Sequence, residues 1–152
     1  MNTRPARNTD AEGVRRVLFG VLAEYELTAD HAGVDADLDD LQGNYFARGG
    51  FFDVIEDDSG TIVGSVGLYP KENGVAELRK MYLLPDYRGR GLGRGMLNRV
   101  LEFAREHNFK RIELETSSRL TDAIALYQQN GFKPITDGHL SMRCDQSYYL
   151  DL

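Results

Sequence analysis

The chain has 152 residues and a net charge of −6, from 18 Lys+Arg against 24 Asp+Glu, and hydrophobic residues make up 41% of it. That length suits one domain, residues 1–152, able to bury a single core, and the acidic balance is wrong for a general nucleic-acid binder, which displaces counterions with a basic surface. No apolar run approaches the ~18 residues that span a bilayer, the N-terminus lacks the apolar core of a secretory signal, and the lone cysteine, Cys144, excludes an internal disulfide and suits a reducing cytoplasm.

The first element is a short strand near residues 3–7. Thr9 or Asp10 then caps a helix whose apolar stripe is Val14, Val17, Leu18, Val21, Leu22 and Tyr25, spaced by threes and fours. An acidic, irregular stretch follows over residues 28–40, and its tail, 36–45, is expected to form a second short helix. Its Asp30, Asp35, Asp37, Asp39 and Asp40 read mainly as a solvated, helix-capping run, with attraction of a cationic amine as the other reading. Gly49-Gly50 breaks the chain.

Residues 51–56, 61–69 and 75–84 read as three strands of an antiparallel meander. Asp57-Asp58-Ser59-Gly60 makes the first turn, and Asn73-Gly74 is a strong hairpin signal for the second. A glycine-rich loop leads into a helix over 92–107, with Leu92, Met96, Val100 and Ala104 as its stripe. Residues 111–116 alternate as a strand. Residues 123–129 are helical and end at Asn130-Gly131, a C-cap. Stretches from 132 and over 140–150 suit closing strands. The pattern predicts an α/β fold: a mixed central sheet of about six to seven strands flanked by about four helices.

The chemistry sits in Arg88-Gly89-Arg90-Gly91-Leu92-Gly93. Three glycines at alternate positions remove every Cβ from one side of a strand-to-helix turn, so backbone amides can converge on a ligand. The following helix adds its positive end. Together they form an anion cradle suited to a pyrophosphate, to which Arg88, Arg90 and Arg94 can add charge. A tight turn alone needs one glycine, not three. The loop lacks the Gly-Lys-Ser/Thr ending of a nucleotide P-loop. It also fails the dinucleotide fingerprint, whose last glycine would fall on Arg94 or Met96.

This loop, preceded by Glu77-Leu78-Arg79-Lys80-Met81-Tyr82-Leu83-Leu84-Pro85-Asp86-Tyr87, resembles the central motif of the GNAT N-acetyltransferases, a strand followed by Gln/Arg-x-x-Gly-x-Gly/Ala. Ile112-Glu113-Leu114-Glu115-Thr116, Ala123-Ile124-Ala125-Leu126-Tyr127 and Asn130-Gly131-Phe132 resemble its second motif, and Arg4-Pro5-Ala6 with Asp10 its opening. The resemblance covers roughly residues 4–133. It implies direct transfer of an acetyl group from acetyl-CoA to an amine, a small amine or amino acid in the first reading, a protein or peptide amine in the second. A coenzyme A-binding module without activity is the remaining alternative.

The resemblance also implies residue roles. The backbone of Arg88, Gly89, Arg90, Gly91, Leu92 and Gly93 holds the coenzyme A pyrophosphate. Backbone groups of Met81 and Leu83 meet the pantetheine arm, which adds to the strand as another strand would. The Met81 amide polarises the thioester carbonyl. Tyr127 protonates the departing thiolate, and Glu77, eleven positions before Arg88, is the base for the amine. Core packing is the other reading of Tyr127 and is compatible with the backbone roles of Met81 and Leu83; for Glu77 the other reading is a solvated charge or a partner for Arg79 or Lys80. Tyr25, Tyr45 and His31 are further candidates on the acceptor side. Leu120 stands where many members carry an asparagine, which removes one coenzyme contact. No metal is expected, because His31, His107 and His139 show no ligand spacing. His107 reads as a structural helix cap and Cys144 as a packed or edge residue. A homodimer is an assembly the family often forms; neither nucleic acid nor membrane is an expected partner.

Overall fold

The computed structural model describes residues 1–30, 32–136, 140 and 143–152. Its strands are β1 (Asn2–Pro5), β2 (Phe51–Glu56), β3 (Ile62–Pro70), β4 (Val75–Leu83), β5 (Arg111–Thr116), β6 (Lys133–Pro134) and β7 (Gln146–Asp151). Three α-helices join them: α1 (Ala11–Glu24), α2 (Leu92–Glu106) and α3 (Thr121–Gln129). The strands make one seven-stranded sheet in the order β1-β2-β3-β4-β5-β7-β6. Every neighbouring pair is antiparallel except β4 and β5, which are parallel. The expected mixed α/β architecture is the one observed.

Each helix buries the stripe its spacing announces. Val14, Val17, Leu18, Val21 and Leu22 of α1 pack with Phe52, Val54 and Leu38 on one face of the sheet. Met96, Leu97, Val100 and Ala104 of α2 pack with Leu68, Leu78, Ile112 and Leu114 on the other, where Tyr127 of α3 joins them. Asp10 fixes the start of α1: its carboxylate accepts the Arg7 amide (2.7 Å) and two Arg4 nitrogens (2.8 and 2.9 Å). The Arg4 guanidinium, helped by the Arg7 amide, holds the Asp10 carboxyl below its usual range despite burial. The Asn73-Gly74 turn is as expected, with φ of 61° and 76°.

Residues 36–45 depart from the expected single helix. They form a 3-10 turn, Ala36–Asp39, and one π-helical turn, Gln42–Phe46. The break falls at Asp40, whose carboxylate takes the Gly43 amide (2.9 Å) and the Asn8 side chain (3.1 Å). Asn8 in turn accepts the Gln42 amide (3.0 Å). Side chains that bond nearby backbone offer the chain an alternative to the helical ladder. The closing strand is shorter than expected. It begins at Gln146, and part of residues 140–150 lies outside the described residues.

Candidate active site

Strands β4 and β5 pair only at Val75↔Arg111, Ala76↔Ile112 and Glu77↔Glu113. Past that point β4 stays with β3 and β5 with β7, so the two strands diverge. The divergence coincides with a bulge. The β3–β4 register shifts between Ser65 and Gly67, which gives β4 one extra residue there. Within the bulge Lys80 takes the left-handed φ of 55°, and its carbonyl accepts the Ser65 hydroxyl at 2.7 Å. A cleft of about 330 Å³ fills the opening. Met81, Tyr82, Leu120 and Tyr127 line one part of it, and Asp37, Glu77, Arg79 and Arg143 another.

The glycine loop follows β4 directly. Gly89 and Gly91 have φ of 78° and 82°, and a Cβ on either would meet nothing within 4 Å. Gly91 is the N-cap of α2, with no side chain capping it. The first-turn amides of Leu92, Gly93 and Arg94 have no acceptor within the helix by geometry alone. These amides and an open, Cβ-free approach fit a pyrophosphate. Gly93 sits against α3, where an added Cβ would lie 3.7 Å from Leu126. Arg88 differs from the other loop residues. Its amide is spent on the Pro85 carbonyl (3.2 Å). Its guanidinium grips both Glu24 oxygens (2.6 and 3.0 Å) and the Leu83 carbonyl (2.9 Å). Arg90 lies over the Tyr87 ring, 5.4 Å from its centroid.

Tyr127 is buried in the cleft wall, its hydroxyl 3.9 Å from Met81 Sδ. Burial, then the neighbouring Tyr82, pushes its phenol up, so it is a proton donor rather than a phenolate across the neutral range. Met81 lies at the bulge and Leu83 ends the strand. Glu77 faces the cleft as well, but its carboxylate is engaged. Arg79 Nε donates to Oε1 at 2.5 Å, and Lys71 Nζ lies 3.6 Å from Oε2. Arg79 stacks over Tyr69, 3.8 Å from its centroid. The divergent strands thus bring Glu77, Met81 and Tyr127 to one opening, with the glycine loop at the end of the same strand.

The family model for the acetyltransferase (GNAT) family matches residues 20–132. The chain belongs to that family. It is similar to the uncharacterized N-acetyltransferase YjgM of Escherichia coli K12, 42% identical over 131 residues that cover 83% of this chain and 78% of the relative. A GNAT acetyltransferase from Staphylococcus aureus Mu50 superposes with a TM-score of 0.93 at 25% identity, covering 99% of this chain and 98% of that one. A phosphinothricin acetyltransferase from Sinorhizobium meliloti, solved with AcCoA, shares the fold (TM-score 0.75, 19% identity, 99% and 88% covered). This GNAT protein is therefore an acetyl-CoA-dependent acyltransferase.

Other candidates fall elsewhere. Tyr25 sits beside Arg88, its hydroxyl 3.3 Å from Nη1, on the loop side of the acetyltransferase. Tyr45 is fully buried against Phe52 and Tyr69, and its hydroxyl donates to Asp37. His31 lies outside the described residues, as does His139. His107 caps α2, with Nδ1 2.9 Å from the Phe103 carbonyl. Cys144 is half-buried on the cleft rim. Leu120 is the N-cap residue of α3 and offers no side-chain cap. Among the described residues no group of side chains could hold a metal ion, and no helix is long and apolar enough to cross a membrane.

The acidic run divides in two. Asp30 and Asp40 cap turns at Gly33 and Gly43, and Asp39 meets Arg15 on the surface. Asp35 and Asp37 are not solvated. Their side chains are 2% and 8% exposed, and the equally buried Lys80 ammonium lies 3.3 Å from one and 3.2 Å from the other. Asp35 also takes a bidentate grip from Arg143 (2.6 and 2.8 Å). A buried carboxylate persists only when paired, and sequence spacing carries no trace of partners 45 and 108 positions away. One further arginine ties the site together. Arg119, in the β5–α3 loop, donates to the Tyr25 and Glu26 carbonyls (both 3.1 Å), just past the end of α1.

Asp35 makes stability pH-dependent. Burial opposes its ionisation, but Arg143, the Asp30 amide and Lys80 outweigh burial and hold the pKa at about 2, below the usual 3.8. A depressed carboxylate contributes stability that is complete above the unfolded value and lost as pH falls through the folded one. Urea midpoints measured between pH 5 and pH 2 should therefore fall, with Asp35 contributing on the order of 2 kcal/mol. Asp35→Asn should flatten that part of the curve. An unchanged slope in the variant contradicts the assignment.

Proposed function

We propose that residues 1–152 act as one N-acetyltransferase domain that moves the acetyl group of acetyl-CoA directly to a primary amine, a small amine or an amino acid, in the cytoplasm. The observation that carries this reading is the opening between β4 and β5. It has Tyr127 in its wall and a bulged strand edge along one side, and that strand leads on in the chain to the glycine-capped start of α2.

On this reading the amides of Gly89 to Gly93, without that of Arg88, hold the pyrophosphate. The backbone of Met81 and Leu83 binds the pantetheine arm as an added strand. The Met81 amide donates to the acetyl oxygen as negative charge develops there. Tyr127 gives its proton to the departing thiolate. Glu77 removes the ammonium proton of the acceptor through a water, and Arg79 and Lys71 keep that carboxylate oriented at the cleft wall. The acceptor amine bonds to the acetyl carbon as the thioester bond breaks, with no covalent enzyme intermediate. The small cleft, walled by Asp37, Arg79 and Arg143, supports a small acceptor.

The test is thiol release from acetyl-CoA across free amino acids, polyamines, aminoglycosides and peptides. Release well above the water blank with one of the small amines is expected. Release with peptides alone replaces the small-acceptor reading, and release with none of them overturns transfer to an amine.

A further inference from the structure

We propose, on the reading that the Met81 amide meets the acetyl carbonyl, that Lys80 is a positioning residue for the transfer: its buried ammonium pins the left-handed bulge that aims that amide into the cleft. A left-handed backbone brings a residue's Cβ too close to the following carbonyl oxygen. Such a conformation persists only where its surroundings over-determine it, and at Lys80 they do. Ser65 Oγ holds the Lys80 carbonyl at 2.7 Å. At the other end of the residue, Nζ donates to the Val34 carbonyl (3.1 Å) and lies between Asp35 Oδ1 (3.3 Å) and Asp37 Oδ1 (3.2 Å). The side chain is only 3% exposed.

The geometry gives this grip a consequence at Met81. The extra residue of β4 lies between the pairs Ser65↔Tyr82 and Gly67↔Arg79. Side chains alternate along a strand, so a one-residue change of register exchanges the two faces. If residue 80 relaxed to ordinary extended backbone, Met81 would turn away from Tyr127, and its amide would turn with it. The same ammonium also holds Val34 and Asp37, which line the cleft. One buried charge therefore anchors both the amide at the acetyl group and the wall against which an acceptor rests.

The test follows the Met81 amide by NMR in protein labelled with ¹⁵N-methionine, a sparse spectrum because the chain has four methionines. Acetyl-CoA and coenzyme A are the probes, since they differ only in the acetyl group. In the unaltered protein acetyl-CoA should displace the Met81 resonance beyond the position coenzyme A produces. Two variants keep the buried charges balanced and the Asp35–Arg143 pair intact: Lys80→Leu with Asp37→Asn, and Lys80→Gly with Asp37→Asn. Both should still bind acetyl-CoA through the glycine loop; the leucine variant should lose the acetyl-specific displacement and the glycine variant should keep it. Glycine adopts a left-handed φ without strain and needs no ammonium to hold the bulge, so survival of the displacement in the leucine variant, or its loss in the glycine variant as well, overturns the role of the ammonium. Absence of the displacement in the unaltered protein overturns the Met81 reading itself, a distinguishable failure that takes this proposal with it.

Discussion

Replacing Tyr127 with phenylalanine is expected to lower turnover by about 10²-fold or more, the usual contribution of a general acid, while acetyl-CoA affinity changes little. The phenol is 4% exposed, and among the described residues its hydroxyl meets only the weak acceptor Met81 Sδ, at 3.9 Å. Phenylalanine fills the same space against Phe132 and loses almost no bonding, so stability should hold and the effect is isolated to chemistry. Burial raises the Tyr127 pKa, so loss of its proton should not limit the rate until well above pH 10, the ordinary range of a tyrosine. Steady-state kinetics with the best amine, paired with calorimetry on acetyl-CoA, separates the two quantities. Full turnover in the phenylalanine variant removes Tyr127 from the mechanism.

Gly91→Val should have the opposite signature, a loss of coenzyme affinity of at least tenfold, or about 1.4 kcal/mol. Gly91 stands at φ 82° and ψ 3°, the left-handed N-cap of α2. A β-branched residue is a genuine outlier there. Relief of that strain rotates the peptide units on either side, which carry the amides of the cradle. The space beside Gly91 is open, so the cost is conformational rather than a clash. Gly95→Ala is the control: it also opens onto free space but sits inside the helix, where alanine is favoured over glycine by roughly 0.5–1 kcal/mol. It should bind acetyl-CoA normally. Equal affinity for all three proteins in calorimetry contradicts the cradle.

What could be read from the chain ahead of the structure was what local pattern encodes. The stripes of α1 and α2 report which helix face is buried, because 3.6-residue periodicity and burial are the same fact seen twice. Asn73-Gly74 announces its hairpin, and the alternating glycines announce the open turn ahead of α2. The acetyltransferase assignment was legible from those glycines with the flanking motifs. The strand divergence has no signature in local pattern, because it depends on where β5 leaves β4. Nothing in the local pattern marks Lys80, and its bulge appears only once β3 sets the register. Asp35 and Asp39 are the same residue type four positions apart. One is buried under Arg143 and the other meets Arg15 at the surface. Such differences arise from partners far along the chain, which periodicity cannot report.

Arg88 and Arg119 follow the two strands that flank the opening, one after β4 and one after β5, yet both are moored at the C-terminal end of α1, to Glu24 and to the two residues just past it. Two strand edges facing each other across a gap carry unpaired amides and carbonyls that favour zipping together. A helix outside the sheet, tied to the chain beyond both strands, works as a spreader bar. On the proposed reading the width of the slot is held by contacts within the chain, and a thioester arm entering it need not force apart strands that would rather be joined.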